Sequence, residues 1–177
     1  MIVVIMGAAG SGKTTVGQRL AAALGWPFFD GDDFHPPASV AKMASGVPLD
    51  DEDREPWLAR LRALIDEHAS AGTSAVIACS ALRQRYRERF LAGCSEARLV
   101  YLEADAALLA QRLAARAGHF FPAALLESQL AALEPPEDAI AIHAGQPVAD
   151  IVSAVIEALG EAQGHAAQKS PERPPRA

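Results

Sequence analysis

Thiols are scarce in this chain of 177 residues: only Cys79 and Cys94 occur, and neither shows a metal-ligand spacing. Free, buried thiols are the expectation, and a cysteine-held metal is not. A basic excess is also missing. The formal net charge of −6 excludes general nucleic-acid binding, because a phosphate backbone would be repelled outside local basic patches. An anionic substrate must therefore meet locally clustered arginines. No apolar run approaches the roughly 18 to 20 residues that a bilayer crossing needs, so no membrane partner is expected. The N-terminus reads as a core strand and not as a leader, and a cytoplasmic protein is expected. The guanine-reading Asn-Lys-x-Asp and the Asp-x-x-Gly switch are both absent, which removes a guanine-nucleotide switch.

What the chain does contain starts at its N-terminus. Gly7-Ala8-Ala9-Gly10-Ser11-Gly12-Lys13-Thr14 matches the phosphate-loop pattern G-x-x-x-x-G-K-[ST]. It follows Ile2-Val3-Val4-Ile5-Met6, whose β-branched run suits a buried parallel strand. It precedes Val16, Leu20, Ala23 and Leu24, which recur at helical steps, with Gly25 as the stop. Glycines let such a loop fold tightly so that backbone N–H groups face phosphate oxygens, and the helix N-terminus adds partial positive charge. Lys13 is then expected at the β/γ-phosphates and Thr14 at Mg²⁺.

Downstream, apolar strands alternate with amphipathic helices, the pattern of a parallel sheet covered on both faces in an α/β fold. Strands are predicted at 2–6, 27–30, 74–79, 98–102 and 139–142. Helices are predicted near 13–24, 38–45, 54–71, 82–92, 105–116, 122–133 and 147–160. The length suits one domain, 1–160. Residues 161–177 hold almost nothing apolar and read as a disordered tail.

Ligands of open α/β sheets bind beyond the carboxyl ends of the strands. After the second strand stands Asp30-Gly31-Asp32-Asp33-Phe34-His35-Pro36. Three carboxylates in four residues repel one another unless a metal or a substrate hydroxyl relieves them. Asp30 is placed to hold Mg²⁺ and Asp32 to accept a hydrogen bond or proton from an attacking hydroxyl; a plain acidic turn is the alternative. His35, followed by two prolines, is either a ligand or a cap for that turn. After the third strand, Ser80 is expected to cap the next helix and Arg83, in its first turn, to point into the cleft. No aspartate ends this strand, so the Asp30–Asp33 cluster stands in for a second metal-binding carboxylate. Arg85, Arg87 and Arg89 read as a solvated face. In the irregular stretch 42–57, Arg54 beside Trp57 could clamp a carboxylate bidentately, whereas Asp50–Asp53 read mostly as a helix N-terminal charge cluster. Arg112 and Arg116, one turn apart, precede Gly118-His119-Phe120-Phe121. They read as a lid, about 112–125, whose arginines close over a transferring phosphoryl group. Together the residues indicate an ATP-dependent kinase of a small anionic polyol.

The phosphate loop, Asp-Gly-Asp-Asp-Phe-His-Pro at 30–36, Lys-Met-Ala-Ser-Gly-Val-Pro-Leu-Asp-Asp at 42–51, Asp-Arg-Glu-Pro-Trp-Leu at 53–58, Cys-Ser-Ala-Leu-Arg at 79–83 and Gly-His-Phe-Phe at 118–121 together resemble the thermoresistant gluconate kinases, relatives of shikimate kinase. The resemblance spans about residues 2–160. It implies a three-layer P-loop kinase fold with a five-stranded parallel sheet of order 2-3-1-4-5, a mobile lid and a homodimer. The implied activity is ATP- and Mg²⁺-dependent phosphorylation of D-gluconate to 6-phosphogluconate. The resemblance also puts Asp32, Arg54 and Arg83 where gluconate would be held, with His119 nearby on the lid. Another sugar-acid kinase, shikimate kinase included, and a non-catalytic nucleotide-binding module are the alternatives.

Overall fold

The computed structural model describes residues 1–115 and 123–168. Its centre is a parallel sheet of five strands in the order β2-β3-β1-β4-β5: Phe28–Asp30, Ala75–Ala78, Ile2–Met6, Ala97–Glu103 and Ile140–His143. The central strand β1 pairs with β3 on one side and with β4 on the other, Ile5 lying opposite Ala78 and Val100. Every β1 residue is at most 1% exposed. A strand covered on both faces needs no polar alternation, which is why its sequence is uniformly apolar.

The period of two still sorts the side chains. Ile2, Val4 and Met6 join Trp57, Leu58, Leu61 and Ile65 of α3 (Asp51–Ser70) and Tyr86 and Phe90 of α4 (Gln84–Leu91). Val3 and Ile5 join Val16 and Leu20 of α1 (Lys13–Leu24) and Ile151, Val155 and Leu159 of α7 (Val148–Gln168). Each such large side chain stabilises the fold by roughly 1.5–3 kcal/mol through burial. The remaining helices are α2 (Pro37–Ala44), α5 (Ala106–Ala114) and α6 (Ala123–Ala132). Helix α1 ends at Gly25, whose left-handed φ of 69° suits glycine. Its Gly17 leaves room for Phe28, since a Cβ there would come within 2.5 Å of that ring.

Three boundaries depart from the sequence reading. Helix α3 begins at Asp51 instead of 54, because Asp50 and Asp53 form a reciprocal capping box. A 3-10 turn, Gly31–Phe34, follows β2 where only a loop was expected; the Asp30 carboxylate caps it by accepting from the Asp32 amide. Helix α7 continues to Gln168 rather than stopping at 160, so residues 161–168 are helical and not a disordered tail. Their Ala, Glu and Gln content carries the helix past Gly160. Residues 169–177 and the centre of the expected lid, with Arg116, Gly118 and His119, lie outside the described residues.

With β1 flanked by β3 and β4, successive connections leave in opposite directions beyond its carboxyl end. That is the crevice where open α/β sheets take ligands. The phosphate loop starts there.

Candidate active site

The loop from Gly7 to Thr14 is built by its glycines. Gly7, Gly10 and Gly12 have φ of 147°, 85° and 98°. A Cβ on Gly7 would lie 2.9 Å from the Leu102 carbonyl oxygen, so the first turn tolerates no side chain. Ala8 is 3% exposed and packs with Leu109 and Leu113 of α5 and Leu126 of α6, which is why only a small residue fits there. The Ala9 amide donates to Gln129 Oε1 of α6 at 2.7 Å. Lys13 Nζ lies 3.1 Å from the Ala8 carbonyl oxygen, so its ammonium folds back over the loop.

Thr14 joins this loop to the acidic turn. Its hydroxyl donates to Asp30 Oδ2 at 2.8 Å, while Asp30 Oδ1 accepts from the Asp32 amide at 3.1 Å. One carboxylate thus links the loop's last residue to the turn that carries Asp32, which is exposed. A hydroxyl and a carboxylate side by side are hard oxygen donors of the kind Mg²⁺ takes, the cation drawing its other ligands from phosphate and water. The residues present fit that ion.

Arg112, read as a lid residue, lies on α5 against the phosphate loop. Its Nη1 donates to the Ser11 carbonyl at 3.2 Å and its Nη2 to the Ala144 carbonyl at 2.7 Å. With Gly10, Gly12, Thr15, Val16 and Val148 it borders a cleft of about 200 Å³. That cleft opens beside the loop.

The other half of the crevice gathers residues from several segments. Trp57, buried on α3, donates from Nε1 to the Gly31 carbonyl at 2.7 Å and so ties the acidic turn to the helix. His35 stacks on the Trp57 ring, centroids 4.6 Å apart and 9° from parallel. Burial lowers the His35 pKa, the charge of Arg54 adds to this, and Asp32 opposes it. Arg54 donates through Nη1 to the carbonyls of Leu49 and Asp50 and lies over the Tyr86 ring, 5.5 Å from its centroid. Asp51 accepts from the Tyr86 hydroxyl at 2.6 Å and from Arg85 at 2.8 Å. The Tyr86 hydrogen bond holds its carboxyl below the usual range, with Arg85, Arg83 and Arg54 adding to the effect. Asp50 and Asp53 cap α3 and pair with Lys42, as a helix-terminal charge cluster should.

Two expectations for the third strand's exit are corrected. Ser80 does not cap α4: Arg83 occupies the N-cap position, and the first free amide, on Gln84, is taken by the Glu134 carboxylate at 2.6 Å. Arg87 is not on a solvated face: it is 7% exposed and donates from Nη1 to the carbonyls of Ala81 and Leu82 at 2.9 and 3.1 Å. Arg85 and Arg89 do sit in solvent, paired with Asp51 and Glu55. Arg83 is half-buried, and among the described residues no hydrogen bond or ion pair holds its guanidinium. Cys79, 1% exposed, has its thiol pushed up to about 12 by burial, with Asp32 next in effect.

Among the described residues the buried side-chain polar atoms without a hydrogen-bond partner are Ser11 Oγ and His35 Nδ1. One lies in the phosphate loop and the other in the acidic turn. Buried polar atoms without a partner are rare and call for an explanation. Gln129, Glu134 and Tyr86 were not foreseen, and no local signal announces them; Gln129 meets Ala9 across 120 residues of sequence.

A family model described as an AAA domain matches residues 2–136. The gluconokinase of Gluconobacter oxydans is 50% identical over 135 residues, 76% of this chain and 76% of the relative. The thermoresistant gluconokinase of Escherichia coli is 37% identical over 162 residues, 89% of this chain and 93% of the relative. A crystal structure of a gluconokinase from Sinorhizobium meliloti superposes with a TM-score of 0.83 at 38% identity, covering 95% of this chain and 97% of its own. Identity of this order over three quarters or more of both partners decides the matter: this chain belongs to the gluconokinase family.

Proposed function

We propose that the chain transfers the γ-phosphoryl group of ATP to a hydroxyl of D-gluconate, giving 6-phospho-D-gluconate and ADP. The observation that carries this reading is the continuous chain of contacts from Thr14 through Asp30 to Asp32. It ties the phosphate-side hydroxyl to the turn whose Asp32 carboxylate we assign to the acceptor, which supports an in-line transfer.

Lys13 and the amides of Gly7 to Thr14 hold the phosphates. Thr14 and Asp30 would hold Mg²⁺, which when bound would neutralise charge on the transferring group. Asp32 orients the acceptor hydroxyl and takes its proton as the new O–P bond forms and the bond to the β-phosphate oxygen breaks. Arg83 offers a guanidinium to the gluconate carboxylate, with Arg54 beside it and His35 and His119 as further polar contacts. Arg112 flanks the nucleotide and Arg116 meets the phosphoryl group on lid closure. The homodimer is proposed on the family resemblance and the cytoplasmic setting on the reading of the N-terminus as a core strand; light scattering of the purified chain tests the dimer.

A coupled assay of ADP release with gluconate, shikimate, glucose and nucleoside monophosphates tests the activity. Turnover confined to gluconate is the expected result. Preference for shikimate or another sugar acid would move the substrate, and nucleotide binding without any turnover would make the chain a regulatory module.

A further inference from the structure

Among the described residues Ala81 is the one non-glycine with a left-handed backbone, at φ 46°. An alanine holds that conformation only where its surroundings over-determine it, and such sites cluster at functional loops. The segment joining β3 to α4 is over-determined from three directions. The Gly7 amide donates to the Ser80 carbonyl at 3.4 Å, from the first residue of the phosphate loop. Arg87 turns back from α4 and satisfies the carbonyls of Ala81 and Leu82 with one nitrogen. Glu134, beyond the end of α6, donates from its backbone to the Leu82 carbonyl at 2.8 Å and accepts from the Gln84 amide at 2.6 Å.

Water could satisfy those loop carbonyls equally well. Burying a guanidinium to do so is costly unless one loop shape is required. The desolvation of Arg87, which lowers its pKa, is only partly offset by Glu134 and Glu88. The segment held this way leads directly into Arg83. Of the arginines collected around Asp51, Arg54 is committed to the Leu49 and Asp50 carbonyls and Arg85 to Asp51, which leaves Arg83 for a ligand.

We propose that Arg87 and Glu134 are positioning residues for the phosphoryl acceptor: they fix Ala81 and Leu82 in one conformation and so hold Arg83 ready for the acceptor's carboxylate. This rests on the reading of the chain as a gluconate-phosphorylating enzyme with Arg83 on the acceptor.

The test is steady-state kinetics on the full chain, with thermal melts alongside. Glu134 is exposed, so Glu134→Ala should fold even where Arg87→Ala does not. Glu134→Ala is expected to raise the gluconate KM roughly tenfold or more while the ATP KM stays within about twofold, since small misplacements far from the chemistry act this strongly. Glu134→Gln keeps an acceptor for the Gln84 amide and should restore most of the loss. In Arg83→Ala, adding Glu134→Ala should cost little more, because the second residue acts through the first. Unchanged gluconate KM with a lowered melting temperature, or fully additive effects of the two substitutions, would overturn the proposal alone. A parent protein that ignores gluconate would instead sink the functional reading, and this proposal with it.

Discussion

The two halves of the crevice are made in different ways. The phosphate half is one contiguous segment, Gly7 to Thr14, shaped by three glycines at positive φ and completed by the start of α1. The half proposed to take the acceptor is assembled from the acidic turn after β2, the start of α3, the exit of β3 and the stretch after α6, joined by Trp57 to Gly31, Tyr86 to Asp51 and Glu134 to Gln84. A phosphate is met by a local nest of backbone amides, which a short pattern can encode. A particular polyol acid needs side chains converging from several directions, and these only the fold can bring together. On the proposed reading, recognition of the common group is local and recognition of the distinctive one is tertiary.

The sharpest way to break this comparison is at Lys13. Its substitution by alanine should abolish transfer, leaving under a tenth of the parent rate, because a preorganised charge at the phosphates is lost. The melting temperature should move less than about 4 °C, the shift that ~1 kcal/mol gives in a chain of this size. Turnover well above that level would show that the loop's amides suffice alone. Asp32→Asn comes next, with kcat down roughly 100-fold and ATP binding little changed; a collapse of ATP affinity with normal kcat would move Asp32 to the phosphate half. Arg116→Ala should lower kcat by a similar factor if the lid arginine meets the transferring group. A normal rate with a lowered melting temperature would make Arg116 a scaffold residue.

The arginines sharpen the comparison within the acceptor half. Arg83→Lys should raise the gluconate KM roughly tenfold, since an ammonium cannot reproduce a bidentate guanidinium bond. Arg54→Lys should have the smaller effect on KM and the larger on stability, because Arg54 already serves two carbonyls. The opposite order would restore Arg54 as the main clamp. The smallest effect concerns pH. The folded state lowers the His35 pKa from 6.5, so the unfolded chain binds the proton more readily. The neutral ring's contribution is complete above that value and is lost as pH falls toward the folded pKa. A denaturation midpoint that falls below pH 6.5 in the parent, and falls less in His35→Gln, is the expected result.

How much of this was legible follows the same division. The phosphate loop, the strand before it and the helix after it are each written in adjacent residues. All five strands were placed within a residue or two, because apolar runs between turn formers carry that signal. The strand order came from the resemblance. The acidic turn showed its carboxylates but not its 3-10 geometry, which depends on the Asp30 cap. Arg87 was misread as solvated because three arginines at alternate positions look alike until the exit of β3 folds back over one of them. Gln129 and Glu134 had no local signal, since their partners lie on other segments.

Cys79 gives the crevice a clock. Burial pushes its thiol up to about 12 at the packed end of β3, whereas Cys94 is partly open to solvent. An alkylating reagent at neutral pH should therefore label Cys94 early and reach Cys79 only when that strand end comes apart. The interval between the two additions, read by mass, counts how often the floor beneath the acidic turn opens. Occupancy by nucleotide or acid should lengthen it in proportion to how firmly each closes that floor.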